Sequence, residues 1–155
     1  MVESKFVVTD RAPDIIYHQI YLWFITSDQK VIIVSTKPGK YQLPGGKPNP
    51  DESHLDTIKR ECFEEAGLEL MEGEVPIYLG HYVVTNDPRW PEKEYAQLRY
   101  FVKSNRKSSE IVLSINEPED LKMVSEAKFV ELSNITQYIH WMKNSDEYNS
   151  ILKVI

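Results

Sequence analysis

From Ile15 to Ile25 the chain is mostly apolar, with Ile, Tyr, Trp and Phe close together, which predicts a long strand buried on much of both faces. Ser27-Asp28-Gln29-Lys30 supplies turn residues, and Val31 to Thr36 is a second β-branched run, so the pair reads as a hairpin. Pro38-Gly39 makes a turn, and Tyr41-Gln42-Leu43 leaves room for a short strand before Pro44. Gly45 to Pro50 reads as a loop. The apolar period then changes: Leu55, Ile58, Cys62 and Ala66 fall on one helical stripe, with Ser53 as N-cap, Asp56 in the first turn and Gly67 as the stop. Further on, Ile77 to Thr85 and Tyr95 to Ser104 read as strands. In the second, Tyr95, Gln97, Arg99 and Phe101 share one face, and Ala96, Leu98, Tyr100 and Val102 the other. Ala127 to Leu132 is a last strand, Ser133 or Asn134 caps a helix to about Met142, and a short helix starts near Asp146.

Strands, one central helix, more strands and terminal helices make an α/β (α+β) pattern rather than a regular βαβ repeat. No linker composition and no repeat interrupts it, so residues 1–155 are expected to form one domain.

Composition narrows the function. A formal charge of −6 should repel duplex nucleic acid and anionic lipid. The single cysteine, Cys62, permits neither an intramolecular disulfide nor a multi-cysteine zinc site, and it reads as core. No secretory leader and no apolar run of membrane-spanning length occurs, so the expected compartment is the cytoplasm, with no membrane partner.

The chemistry concentrates between Gly45 and Leu68. Glu61, Glu64 and Glu65 are spaced i, i+3, i+4, so their carboxylates project within a sector of roughly 100°. Like charges that close oppose helix formation, and they lie toward the negative end of the helix dipole. Stability alone would favour lysines there. A divalent cation such as Mg²⁺ or Mn²⁺ would make sense of the cluster. Before the helix, Gly45 and Gly46 let the backbone approach a ligand, and Lys47 sets a positive charge beside them. Carboxylates that hold metal, and metal that holds phosphate, suit phosphoanhydride hydrolysis.

Gly46, Glu52, Arg60, Glu61, Glu64, Glu65 and Gly67 match every fixed position of G-x5-E-x7-R-E-U-x-E-E-x-G-U, where U is a bulky apolar residue. Residues 46–68 therefore resemble the Nudix box of the MutT-like Nudix hydrolases, Cys62 being the one departure. The resemblance implies an α/β/α sandwich around a mixed β-sheet. It also implies metal-dependent hydrolysis of a small nucleotide diphosphate compound by attack of water on phosphorus. Carried over by position, Glu61, Glu64 and Glu65 correspond to metal ligands, helped by a carbonyl at Gly45 or Gly46. Glu61, Glu65 and Arg60 form the catalytic group, and Arg60 with Glu52 the supporting ion pair. The water-activating base stays open among Glu61, Glu117, Glu119, Asp120 and Glu126.

Lys47, Gly45, Trp90 and Arg99 are the candidate substrate contacts, with Trp23, Tyr41 and Tyr95 as further aromatic candidates. Pro88-Arg89-Trp90-Pro91 reads as an exposed loop that lids the site or meets a second subunit in a homodimer. The ADP-ribose enzymes of the family tend to have a proline fifteen residues past the box, where this chain has Val83. Those for dinucleoside polyphosphates tend to have a tyrosine at the positions of Val84, Thr85 or Asn86. With neither cue, and with a compact length, the expected activity is MutT-like cleavage of a nucleoside triphosphate. ADP-ribose, nucleotide-sugar and dinucleoside polyphosphate cleavage are the alternatives, beside a non-catalytic nucleotide sensor.

Overall fold

The computed structural model describes residues 1–155, the side chain of Leu121 excepted. Eight strands form one mixed sheet: β1 (Glu3–Val8), β2 (Tyr17–Ile25), β3 (Lys30–Lys37), β4 (Lys40–Gln42), β5 (Gly45–Gly46), β6 (Ile77–Thr85), β7 (Glu94–Lys103) and β8 (Glu126–Glu131). Their order is β1-β6-β7-β2-β3-β4, with β5 added on β2 and β8 on β3. Only β2 and β7 run parallel; every other pair is antiparallel.

The period of two puts apolar residues on both faces, so both must be covered. On one face Ile20, Leu22, Phe24, Ala96 and Leu98 meet Ile58, Cys62 and Ala66 of α1 (His54–Ala66). On the other, Trp23, Ile25 and Phe101 pack with Ile135 of α2 (Ile135–Tyr138) and Ile151 of α3 (Asp146–Val154). This is the α/β/α sandwich expected from the resemblance.

Helix α1 follows its local signals. The Ser53 hydroxyl accepts from the Asp56 N–H, and the Asp56 carboxylate accepts from the Ser53 N–H. Gly67 closes the helix in the left-handed region at φ 65°.

Three expectations change. The hairpin is barely one, since β2 and β3 pair only at Ile25 and Val31 and then diverge, leaving the β2 edge for Gly45 and Gly46 and the β3 edge for β8. The stretch from Ser133 to Met142 is no single helix. A 3-10 turn (Leu132–Asn134), the one-turn α2 and a second 3-10 turn (His140–Met142) replace it, with Ile139 at φ −116° and ψ 84°. Ile135-Thr136-Gln137-Tyr138-Ile139 is rich in β-branched and aromatic residues, and neither Ser133 nor Asn134 makes a side-chain cap, so little there sustains a helix. Strand β1 has no counterpart in the sequence reading; it is an edge strand burying only Phe6.

Candidate active site

The site forms where β2 and β3 part. Gly45 pairs with Tyr21 and Gly46 with Ile20, which draws the loop before α1 onto the sheet edge. Only glycine fits. Gly45 has φ +149°, and a Cβ there would stand 2.7 Å from the Tyr21 Cα. A Cβ on Gly46 would stand 2.8 Å from Glu61 Oε1 and 2.9 Å from its Cδ. Gly46 thus leaves room for the Glu61 carboxylate, while Gly45 lets the loop close onto β2.

On the facing side of α1, Glu65 is almost wholly buried and accepts from the Gly45 N–H at 2.8 Å. Arg60 organises the rest. Its Nε and Nη2 fork onto Glu52 at 2.8 and 3.0 Å, and Nη2 also donates to the Lys47 carbonyl at 2.9 Å. Its Nη1 reaches Glu61 at 2.9 Å and, more loosely, Glu64 at 3.4 Å. One guanidinium therefore ties helix, loop and two of the three clustered acids together, and holds Glu52 well below the usual carboxylate range.

A fourth acid enters from the later loop. The Ser114 and Asn116 N–H groups donate to the Ala66 and Glu64 carbonyls at the end of α1, which brings Glu117 to the carboxylates. Its charge raises both Glu61 and Glu65. Of the later acids named from the sequence, Glu117 is the one that the α1 cluster feels. Its own Oε1 accepts from the Met123 and Val124 N–H groups, which fixes it in place.

Burial, above all, lifts Glu61 to about 7 and Glu65 to about 8; repulsion within the acid group adds to it, while Arg60 opposes it at Glu61 and the Gly45 N–H at Glu65. Both carboxyls thus bind a proton more tightly folded than unfolded. Their stabilisation is full below the ordinary value of 4.5 and is lost as pH climbs through about 7 and 8. His54 and His81, lowered by burial, act in the opposite sense, weakening the fold as pH falls through 6.5. The measurement is thus a comparison. Between pH 5 and 8.5 the metal-free protein should lose about 5 °C of Tm relative to the Glu61→Gln/Glu65→Gln variant, and millimolar Mg²⁺ or Mn²⁺ should restore it. Parallel melting profiles for the two proteins would contradict the burial of these charges.

Among the described residues no three His, Cys, Asp or Glu side chains converge as a group that could hold a metal ion by themselves. That suits Mg²⁺, which is commonly held by one or two carboxylates together with waters and phosphate oxygens. A buried Glu65 and a half-buried Glu61 that repel one another, with Gly46 against the latter, are a donor set that such an ion fits. Glu61 and Glu65 would hold it, with Glu64 at the margin beside Arg60 and with the Gly46 backbone next to Glu61.

A cavity of about 570 Å³ lies on the sheet face opposite α1, bordered by Tyr21, Tyr41, Gln97, Arg99, Tyr138 and Trp141. Tyr21 joins the two regions, since Glu65, Glu61 and Arg99 all act on its hydroxyl while burial keeps it protonated. Arg99 is buried, not solvated, and pairs through Nε with Glu147 at 2.9 Å. Trp90 lies outside the cavity lining, stacked on His18 at 3.6 Å, with Lys47 Nζ 5.3 Å from its ring centroid. Trp23 and Tyr95 are core, hydrogen-bonded to Glu147 and Asp87 respectively. Cys62 is fully buried, its thiol held protonated chiefly by that burial.

Sequence reasoning missed Tyr21, Gln97, Tyr138, Trp141 and Glu147. The alternation of β7 put Gln97 beside Arg99 and was the one available signal; Glu147 gave none.

An acidic helix set across a glycine step at the edge of a mixed sheet, inside an α/β/α sandwich, defines the class: a phosphoanhydride hydrolase scaffold. The family model described as NUDIX domain matches residues 17–149, and the chain belongs to the Nudix family. No curated protein sequence matches it. Among solved structures it is similar to the Bacillus subtilis pyrophosphohydrolase BsRppH, at 20% identity and TM-score 0.67, over 97% of this chain and 89% of that one. It is also similar to a C. elegans Ap4A hydrolase, at 14% identity and TM-score 0.56, over 90% and 98% of the two chains. The NUDIX domain of Shewanella oneidensis NrtR, solved with ADP ribose, matches at 19% identity and TM-score 0.55, over 88% of each chain. At such identities the likeness speaks to the fold alone.

Proposed function

We propose that this protein is a metal-dependent pyrophosphohydrolase that cleaves a nucleoside triphosphate to monophosphate and pyrophosphate. The observation that carries the reading is the pair Glu61 and Glu65, set against Gly46 and the Gly45 N–H, with Tyr21 linking it to a cavity sized for a nucleoside. Bound Mg²⁺ or Mn²⁺ would supply charge neutralisation on the phosphoryl oxygens and a water of lowered pKa. The protein's own groups do the rest. Glu61, against Gly46, and Glu65, on the Gly45 N–H, would hold that ion, and Glu61 or the incoming Glu117 is placed to take the proton of an attacking water. Arg60 holds Glu61 in orientation, and Glu52 holds Arg60. Lys47, in the loop beside the carboxylates, offers its charge to the phosphate chain, with Trp90 as its platform. Tyr21 marks the passage from the phosphate end to the cavity, where the nucleoside lies. The chain acts as one domain, in the cytoplasm.

The test is a panel of nucleoside triphosphates, ADP-ribose, nucleotide sugars and dinucleoside polyphosphates with Mg²⁺ and Mn²⁺, scored by products. Nucleoside triphosphates should yield pyrophosphate, more rapidly at alkaline pH, where both carboxyls are ionised. Faster cleavage of another class would move the assignment to that class. Tight binding without turnover anywhere in the panel would make the protein a sensor.

A further inference from the structure

Arg99 is held as few arginines are. Its guanidinium lies between the Tyr21 and Tyr82 rings, 4.6 and 4.9 Å from their centroids. Its Nε is fixed on Glu147 Oε2, which also accepts from Trp23 Nε1 at 2.8 Å. Glu147 belongs to the first turn of α3, is fully buried, and leaves Oε1 without a partner among the described residues. The free end of the fork is different. Nη1 has only a 3.4 Å contact with its neighbour's carbonyl, and Nη2 makes no hydrogen bond among the described residues. Arg99 borders the cavity, so this end is what the cavity meets.

Two facts decide what such a group recognises. The buried Glu147 cancels the arginine's charge, so the pair presents a neutral site and gives a phosphate little reason to bind there. Arginine is also donor-only and, clamped between two rings, cannot turn an acceptor outward. Gln97, two residues earlier on the same face of β7, can present either its carbonyl or its amino group. Tyr41, Tyr138 and the largely exposed Trp141 add aromatic surface at the same cavity, and aromatic surface suits a stacked base.

We propose that the cavity selects nucleotides whose base presents a ring carbonyl beside a ring N–H, as guanine, hypoxanthine and uracil do, with Arg99 donating to the carbonyl and Gln97 accepting from the adjacent ring N–H. Adenine places an amino group where the carbonyl should be, setting donor against donor. Gln97 can adapt to that change; Arg99 cannot. Glu147 serves as a positioning residue, fixing the fork and removing its charge. This rests on the cavity being the nucleoside site of the proposed hydrolase.

The experiment pairs turnover with binding, first in the wild-type protein and then in one variant. kcat/KM is measured for GTP, ITP, UTP and ATP with Mg²⁺, and calorimetry gives the affinities of GMP, IMP, UMP and AMP. The expected result is GTP and ITP within a few-fold of one another and GTP, ITP and UTP all about 10- to 100-fold above ATP, with the same order among the monophosphates. In Arg99→Lys, which keeps the charge but loses the fork, the ratio of GTP to ATP should fall toward one, chiefly through KM for GTP. Equal turnover of all four triphosphates overturns the base selection while leaving the hydrolase intact. GMP bound over AMP without hydrolysis of any triphosphate supports the selection and overturns the hydrolase. No discrimination in either measurement rejects the selection outright.

Discussion

Glu65→Gln should lower kcat of nucleotide hydrolysis by about a thousandfold, with the melting temperature held or raised. Glutamine has nearly the shape of glutamate, and its carbonyl can still accept from the Gly45 N–H, so the contact between β5 and α1 survives. What disappears is a negative charge at a site only 6% exposed, where burial and three neighbouring acids already strain it. Removing that charge relieves repulsion in the folded protein and removes a ligand and a base from the chemistry. Glu64→Gln should cost far less, about tenfold, because Glu64 is less deeply set and its one contact with Arg60 is long. Steady-state kinetics with melting curves on both variants would check the order. Glu65→Gln retaining more than a tenth of wild-type turnover would move the chemistry away from the buried carboxylate pair.

That contrast between neighbouring glutamates shows what a linear chain discloses. The i, i+3, i+4 spacing announces three acids on one helical sector, because helix geometry is local and its start and stop are written in Ser53, Asp56 and Gly67. It does not announce that Arg60 takes the Glu64 side of the sector while Gly45 takes Glu65, since those contacts depend on how the loop returns to the sheet. The glycine pair was legible as a place of close approach, yet its pairing with Ile20 and Tyr21 was not. Two residues carry no strand pattern, and the vacancy on the β2 edge arises only because β2 and β3 diverge. The Ser133 to Met142 stretch misled for a related reason. Its apolar residues recur at helical intervals because they follow the cavity wall and core, while their branched side chains favour a broken path. Arg99 is the sharpest case. On paper it is a cation on an alternating strand; its buried partner lies 48 residues away on a different layer of the sandwich.

Glu147→Ala should destabilise the fold by about 3–5 kcal/mol, lowering Tm by roughly 8–15 °C. The alanine leaves Arg99, itself 5% exposed, with an uncompensated charge, and leaves the buried Trp23 N–H without its acceptor. It also loosens α3, whose place on the sheet depends on this contact and on Ile151 in the core. The loss should be mostly the cost of the orphaned charge rather than the worth of the pair. Adding Arg99→Met to Glu147→Ala should therefore recover a large part of the stability, although the double variant lacks both partners. Glu147→Gln should lie between wild type and alanine, because its carbonyl can still accept from one of the two donors. Denaturant melts of the wild type, Glu147→Ala, Arg99→Met and the double variant form a double-mutant cycle. If Glu147→Ala melts within about 2 °C of wild type, water must reach Arg99 freely. The neutral, fixed fork from which base selection was argued would then not exist.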